Sequence, residues 1–388
     1  MSKKKVLIFI DWFLPGTNSG GPVRSYVNLI DHFEDDFTFY IVTRNLDYLS
    51  KSQYKNTIPD NWNKLNEHTN VYYISPGELK INTIRKIYKH FDADLVLVNG
   101  IYSFYFSILP VLISRKRRQP TVVSARGMLS PQAFCVKRIK KKLFLRLSRF
   151  LNLYKNVVFH ATNEFESECI KQIIGHDSNV IIAPNLPRKF KITNYTKAKK
   201  ESPVRFVNIS RISQEKGTLK LLQILKMITY PVIIDVYGPV YDFKYWEKCK
   251  KVISILPNNI QFSYKGQLAS DEVIEVLPNY DFFVMLSEGE NFGHSILEAL
   301  AVGLPVLISN MTPWRNLESH KIGWDVDTDI DNNIINAFNT AINMDHEEYN
   351  LWSFSAMEYS KEFINNVDVL KMNRNLLDLH LSSHSKNI

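Results

Sequence analysis

Short apolar runs alternating with amphipathic stretches constrain this chain more than any other feature. In the first half the runs are Val6–Ile10, Phe37–Thr43, Val71–Ser75, Asp94–Val98, Thr121–Ser124, Val157–His160 and Asn179–Ile182. In the second half they are Val204–Ser210, Val232–Tyr237, Ile260–Ser263, Phe282–Leu286 and Val306–Ile308. Runs this short and this continuously apolar read as strands buried on both faces, the signature of parallel sheets. Helical stretches between them, near 78–90 and 102–114 for example, complete an α/β pattern with helices on both sides of each sheet. The pattern lapses in the Pro-, Asn- and Lys-rich stretch Ala183–Glu201 and then restarts. Two domains are therefore expected, 1–185 and 204–361, joined by a linker at 186–203, as the length of 388 residues also suggests. Residues 44–70 read as a long polar loop. Helices near 329–343, 346–360 and 362–380 close the chain.

The sharpest local pattern is Ser287–Pro305, SEGENFGHSILEALAVGLP. A buried strand ends in a loop carrying Glu288 and Glu290. Gly293 opens a helix whose apolar positions include Ile296, Leu297, Leu300 and Ala301. Gly303 and Pro305 stop it. A helix N-terminus behind a strand suits an anion, because free N–H groups and the helix dipole both point at it. A second loop, SRISQEKG at Ser210–Gly217, follows the first strand of the same domain and brings Arg211 and Lys216 to the same sheet edge. Two cations are what a diphosphate leaving group requires. Glu298 can accept from a ribose diol, and Glu290 can hold hydroxyls of a sugar beyond the phosphates. No GxGxxG turn stands in a strand–helix setting, which argues against a dinucleotide cofactor. In the first half, Gly20-Gly21 precedes a helix at Val23–Phe33. Alone it reads as a tight turn as readily as a ligand approach.

Charge is unevenly spread. Residues 1–190 hold 28 Lys/Arg against 15 Asp/Glu, and the remainder 20 against 24. From Asp94 to Glu164 the chain has 13 basic residues and no acidic one between those two. An anionic partner of the first domain follows: a membrane surface, a phosphate-bearing substrate or nucleic acid. Arg115–Arg118 reads equally as a solvated turn. Within a helix expected at 131–154, Val136, Ile139, Leu143, Leu147, Phe150 and Tyr154 form a stripe expected to face the core. Arg138, Lys142, Arg146 and Arg149 form an opposite stripe, with Leu145 among them. That basic face suits an anionic inner-membrane surface, or is an ordinary charged exterior. Three scattered cysteines give neither a disulfide framework nor a zinc spacing, and a reducing cytosol fits. Apolar runs fall short of a membrane span. Lys3–Lys5 before VLIFI imitates a signal peptide, but Asp11 interrupts it and no small-residue cleavage site follows.

GENFGHSILEALAVGLPVL resembles the EX7E signature of the retaining family 4 glycosyltransferases, with Glu290 and Glu298 as its glutamates. Arg211 and Lys216-Gly217 are similar to that family's donor-phosphate pair, and Gly20-Gly21 to its N-terminal glycine loop. ARGMLSPQAF (Ala125–Phe134) and HATNEFE (His160–Glu166) resemble acceptor-side segments of members that build bacterial surface polysaccharides. The resemblance runs from Val6 to about Trp324. It implies a GT-B fold, two Rossmann-like domains with the active site in the cleft between them and a C-terminal helix returning to the first. It implies transfer from a nucleotide-sugar, commonly a UDP-sugar, to a glycan or polyprenyl-diphosphate-linked acceptor, with retention and without a required metal or other cofactor. Glu290, Arg211 and Lys216 would serve catalysis; Glu298, Phe292, Gly293, His294, Gly20 and Gly21 the donor; Arg126 the acceptor. The place would be cytoplasmic, peripheral on the inner membrane face. One departure stands out: where many relatives carry a His after the fifth strand, this chain has Arg126, which cannot act as a general base near neutral pH. A sugar-nucleotide epimerase of the same architecture is an alternative. A nucleic-acid-binding protein using the basic 115–155 region is another, but no nucleic-acid motif is visible and none of that partner is expected.

Overall fold

A computed structural model describes residues 3–130, 138–189, 203–269 and 271–379. The chain divides into two units, Met1–Lys189 with Asn366–Ile388, and Phe190–Asn365. Most of the linker expected at 186–203 lies outside the described residues, as does Pro131–Lys137, which includes part of the ARGMLSPQAF segment.

The first unit is built on β1 (Lys4–Phe9), β2 (Phe37–Arg44), β3 (Trp62–Lys64), β4 (Thr69–Ile74), β5 (Leu95–Asn99), β6 (Thr121–Ser124), β7 (Val158–Ala161) and β8 (Asn179–Ile182). Their order is β3-β4-β2-β1-β5-β6-β7-β8, and among the described residues only β3 runs antiparallel to its neighbour. Helices α1 (Gly21–Phe33), α2 (Ile81–His90), α3 (Leu109–Arg117), α4 (Arg138–Phe150) and α5 (Glu164–Ile174) connect them, with one π turn, Phe104–Ile108, running into α3. β1 alternates between two cores: Leu7 and Phe9 pack on one face, Val6 and Ile8 on the other. This is the period-2 division of a sheet covered on both sides.

The second unit holds β9 (Val204–Ile209), β10 (Val232–Tyr237), β11 (Ile260–Tyr264), β12 (Phe282–Met285), β13 (Val306–Ser309) and β14 (Gly323–Val326). All neighbours are parallel, in the order β11-β10-β9-β12-β13-β14. Numbered within the unit this is 3-2-1-4-5-6, the doubly wound order, whose topological switch lies between β9 and β12. Helices α6 (Thr218–Leu225), α7 (Phe243–Ile253), α8 (Glu272–Val276), α9 (His294–Ala301), α10 (Asp331–Asn343) and α11 (His346–Ile364) flank it. The segment expected as one helix at 362–380 is split. Residues 362–364 finish α11, and after a break α12 (Val367–Leu377) packs within the first unit. There Leu376 and Leu377 join the Val6/Ile8 core, and Asn373 Nδ2 donates to Pro184 O at 2.8 Å.

One expectation is reversed. Within α4 the stripe assigned to the core lies in solvent, with Ile139 84% exposed, Leu143 67%, Leu147 53% and Phe150 81%, whereas Tyr154, beyond the end of the helix, does pack against the core as expected. Leu145, placed among the cations, is 6% exposed and belongs to the core. Ser148 is buried beside it, and Phe144 packs partly against the same core. The helix carries two apolar arcs, and periodicity alone cannot say which turns inward. The arc with the small Ser148 lets the helix lie close to its neighbours. Val136 lies outside the described residues.

Candidate functional site

The crevice at the β9/β12 switch is framed by the loops that follow those strands, adjacent because Phe206 pairs with Phe282 and Val207 with Phe283. The two loops are fastened by backbone, Glu288 N–H donating to Glu215 O at 2.9 Å, and Glu290 N–H ties the β12 loop to the loop after β13 through Met311 O at 3.2 Å. Gly217 sits at φ +70°, and a Cβ there would lie 1.9 Å from Leu286 O. No other residue fits that position without moving the β12 loop. Gly238, after β10, is as confined, with a Cβ position 1.8 Å from Ser210 O.

This backbone brings Lys216 and Glu290 into direct contact: Lys216 Nζ donates to Glu290 Oε1, both side chains only 12% exposed. Arg211 lies at the mouth, its guanidinium 5.1 Å over the Tyr241 ring and 3.6 Å from Glu215 Oε1. α9 begins at Gly293, which stands at φ +79° and caps the helix without a side-chain hydrogen bond. Its first-turn N–H groups therefore face the same edge as Lys216. Glu298 is buried in α9, 4% exposed. His294, the first helical residue, has its ring 4.7 Å from that of Phe292. Phe292 itself turns inward against Trp314 and Phe363, and its carbonyl accepts from Trp314 Nε1. Its side chain thus anchors the loop in the core rather than lining the crevice.

Three hydroxyls of these loops escaped the sequence reading. Ser213 Oγ, Thr218 Oγ1 and Ser287 Oγ are buried with no protein hydrogen-bond partner. Buried hydroxyls are seldom left unsatisfied, and around a cationic crevice they suit ligand oxygens or water. Ser and Thr are so common in loops that no sequence signal marks these.

The remaining expected residues belong to the first unit. Gly20 is at φ +73° as the residue before α1, and a Cβ on Gly21 would meet nothing within 4 Å. Arg126 follows β6 at φ +53°. Its guanidinium lies 4.9 Å over the Tyr26 ring and donates from Nη1 to Asn185 Oδ1, while Nε is buried without a partner. Glu166 fixes the adjoining turn, accepting from Gly127 N–H at 2.6 Å and from Thr162 N–H and Oγ1 at 2.8 Å each. Beside Arg126 is His160, the first residue of the HATNEFE segment, to which the sequence assigned no individual role. Its Nε2 donates to Ala183 O at 2.7 Å, so Nδ1 is the acceptor from Ser124 Oγ at 2.8 Å. Burial, and then the Arg126 charge, push its pKa down to about 4, so the ring is neutral near pH 7.

Residues 191–356 match the family model described as glycosyl transferases group 1. GDP-mannose:cellobiosyl-diphosphopolyprenol alpha-mannosyltransferases of Xanthomonas oryzae pv. oryzae and Xanthomonas campestris are 25% and 26% identical to this chain over 235 and 234 residues. The match covers 59% and 58% of this chain and the same shares of those proteins, so the chain spans about three fifths of the length of these curated relatives. Among solved structures, HepE of Anabaena in complex with UDP and glucose has a TM-score of 0.71 at 17% identity, over 96% of this chain and 98% of that one. Sucrose-phosphate synthase of Thermosynechococcus elongatus has a TM-score of 0.71 at 14% identity, over 97% and 98%. The chain therefore has the two-sheet fold of GT-B glycosyltransferases, and residues 191–356, within its second unit, are similar to the glycosyl transferases group 1 family.

Proposed function

We propose that this chain transfers a sugar from a nucleoside-diphosphate sugar to a glycan or polyprenyl-diphosphate-linked acceptor, with retention at the anomeric carbon, in the synthesis of a bacterial capsule, exopolysaccharide or O-antigen. The observation that carries this is the gathering of Arg211, Lys216, the N-terminus of α9 and Glu290 at the switch point of the second sheet. Arg211 and Lys216 hold the diphosphate and offset the charge it gains on leaving, the work a divalent cation does in other transferases. Glu298 takes the ribose hydroxyls and Glu290 those of the sugar. Gly293 and His294 approach the donor at the head of α9. Gly20, Gly21 and Arg126 serve the donor phosphates and the acceptor from the first unit.

Glu290 is neutralised by Lys216, which makes it a poor nucleophile. A front-face substitution suits that arrangement. The bond from the anomeric carbon to the phosphate oxygen breaks with its electron pair leaving on the diphosphate. The acceptor oxygen bonds to the same face, and its proton passes to the departing phosphate. Uridine is the base we favour. The relatives named for GDP-mannose make a GDP-sugar the second donor to try. The test is transfer from UDP- and GDP-sugars to a polyprenyl-diphosphate-linked glycan, with and without chelator, the product's anomeric configuration being read by NMR. Retention, insensitivity to chelator and dependence on Lys216 and Glu290 support the proposal. An inverted product, or donor turnover to an epimer without acceptor, would replace it.

A further inference from the structure

The first sheet has a switch point of its own between β1 and β5, because β1 hands the chain to β2 on one side and β5 opens the other. The loops after these two strands meet at one carboxylate. Asp11, just past β1, accepts at Oδ1 from Ser103 Oγ of the β5 loop at 3.0 Å, and from Nε and Nη2 of Arg44, the last residue of β2, at 3.1 and 2.8 Å. An arginine more often forks onto both oxygens of a carboxylate. Here Oδ1 takes every donor. Among the described residues, Asp11 Oδ2 and Arg44 Nη1 make no hydrogen bond.

The pair is held firmly yet left open. The Arg44 guanidinium lies 5.0 Å from the Phe106 ring centroid and 5.8 Å from that of Trp12, which packs edge-on against Tyr48 at 4.7 Å. The β1 loop is tied down by Thr17 and Asn18 N–H, which donate to Asp47 Oδ2 at 3.1 and 3.2 Å. The side chains of Asp11 and Arg44 are nevertheless 15% and 28% exposed. Phe104, next to Ser103, is 46% exposed and opens the π turn Phe104–Ile108. Such turns are rare and gather at functional sites.

We propose that this cluster is a subsite for a sugar of the acceptor. Asp11 Oδ2 accepts from one hydroxyl of a pyranose, Arg44 Nη1 donates to the neighbouring one, and Phe104 covers the C–H face of the ring. The chemistry narrows the occupant. A phosphate needs donors at both positions and is repelled by Asp11, and an ammonium is repelled by Arg44. A vicinal diol satisfies both, because each hydroxyl can donate or accept. The inference rests on the transferase reading and deepens it: the acceptor already carries a sugar, so transfer lengthens a glycan and does not begin one on a lipid phosphate.

The experiment is saturation-transfer NMR of the full chain with methyl glucoside, galactoside and mannoside, with UDP and GDP in a parallel sample. Wild type is expected to pass saturation to the ring protons of at least one glycoside. Asp11→Asn leaves an oxygen for Ser103 and Arg44 but turns the open acceptor into a donor, and should weaken that glycoside at least about tenfold. Phe104→Ala, at an exposed position, should weaken it severalfold, and both variants should keep wild-type circular dichroism. Absence of saturation transfer to every glycoside in the wild type, or unchanged glycoside binding in both variants, would overturn the subsite. Transfer to bare polyprenyl phosphate in preference to a sugar-bearing acceptor would overturn it too. Asp11-dependent glycoside binding by a chain that binds neither UDP nor GDP would uphold the sugar site and count against the transferase reading alone.

Discussion

The crevice of the second sheet and helix α4 of the first unit both concentrate charge and apolar side chains, and they treat them in opposite ways. In the crevice the charges are drawn inward and matched: Lys216 meets Glu290, each 12% exposed, on loops locked by Gly217 and by the Glu288–Glu215 backbone bond. On α4 the cations have no acid within the helix, and the apolar stripe stands in solvent. A site that stabilises charge on a leaving group must be preorganised, with its dipoles fixed before the ligand arrives. The exposed stripe of α4 is not held in this way: its cations and apolar side chains face solvent.

The largest expected effect lies in the crevice. Lys216→Ala and Glu290→Ala should each lower kcat for sugar transfer by about 10²–10³-fold, or about 3–4 kcal/mol. Both variants should keep wild-type circular dichroism. Near-wild-type turnover in either would remove that residue from the site. Next comes the packing of α4. Leu145→Ala should cost about 2–4 kcal/mol in denaturant unfolding. A loss confined to a few tenths would mean the helix faces the other way.

Acid titration separates a third contribution. His160 has a folded pKa near 4 against about 6.5 when unfolded, so between those values the unfolded chain binds more protons. Its contribution is complete above pH 6.5 and is lost as pH falls toward 4, by up to about 3 kcal/mol. His160→Gln should therefore flatten the acid limb of stability over pH 6.5–4, and an unchanged slope would assign that limb to carboxylates. The smallest effect is Leu143→Ala, expected within about 0.5 kcal/mol of wild type in unfolding. Together with Leu145→Ala it tests which arc of α4 is structural.

Most of the sheet framework was legible because strands buried on both faces must be continuously apolar. Thr121–Ser124, Asn179–Ile182 and Val232–Tyr237 have the expected bounds. The strands that went unread violate that rule. β3 is the polar Trp62–Lys64, inside the stretch taken as a loop. β14 starts at Gly323, where a Cβ would lie 2.0 Å from Val306 O, and contains Asp325, which accepts from Leu317 N–H at 2.9 Å. Its membership in the sheet depends on close backbone approach, which a hydropathy reading does not register. In the crevice, the meeting of Lys216 and Glu290 was legible because both residues follow strands that are neighbours in the sheet. Ser213, Thr218 and Ser287 were not, because only burial distinguishes them. Phe292 was legible as part of the signature, but its inward packing depends on Trp314 and Phe363, distant in sequence. The orientation of α4 was illegible because the inward arc, Phe144, Leu145 and Ser148, is less apolar than the exposed one, and the choice is made by contacts from α5 and the core. Arg149 Nε, for instance, donates to Ile174 O at 3.2 Å.

Calorimetric titration of the wild type, Lys216→Ala and Glu290→Ala with nucleoside diphosphates and their sugars tests the crevice most directly. Lys216→Ala should weaken UDP and UDP-sugar, or GDP and GDP-sugar, alike, because both ligands carry the diphosphate. Glu290→Ala should weaken the sugar nucleotide relative to the bare diphosphate, whose binding should not fall because the freed Lys216 still meets it. Failure of the wild type to bind any of these ligands, or unchanged binding in Lys216→Ala, would contradict a donor site at the β9/β12 switch.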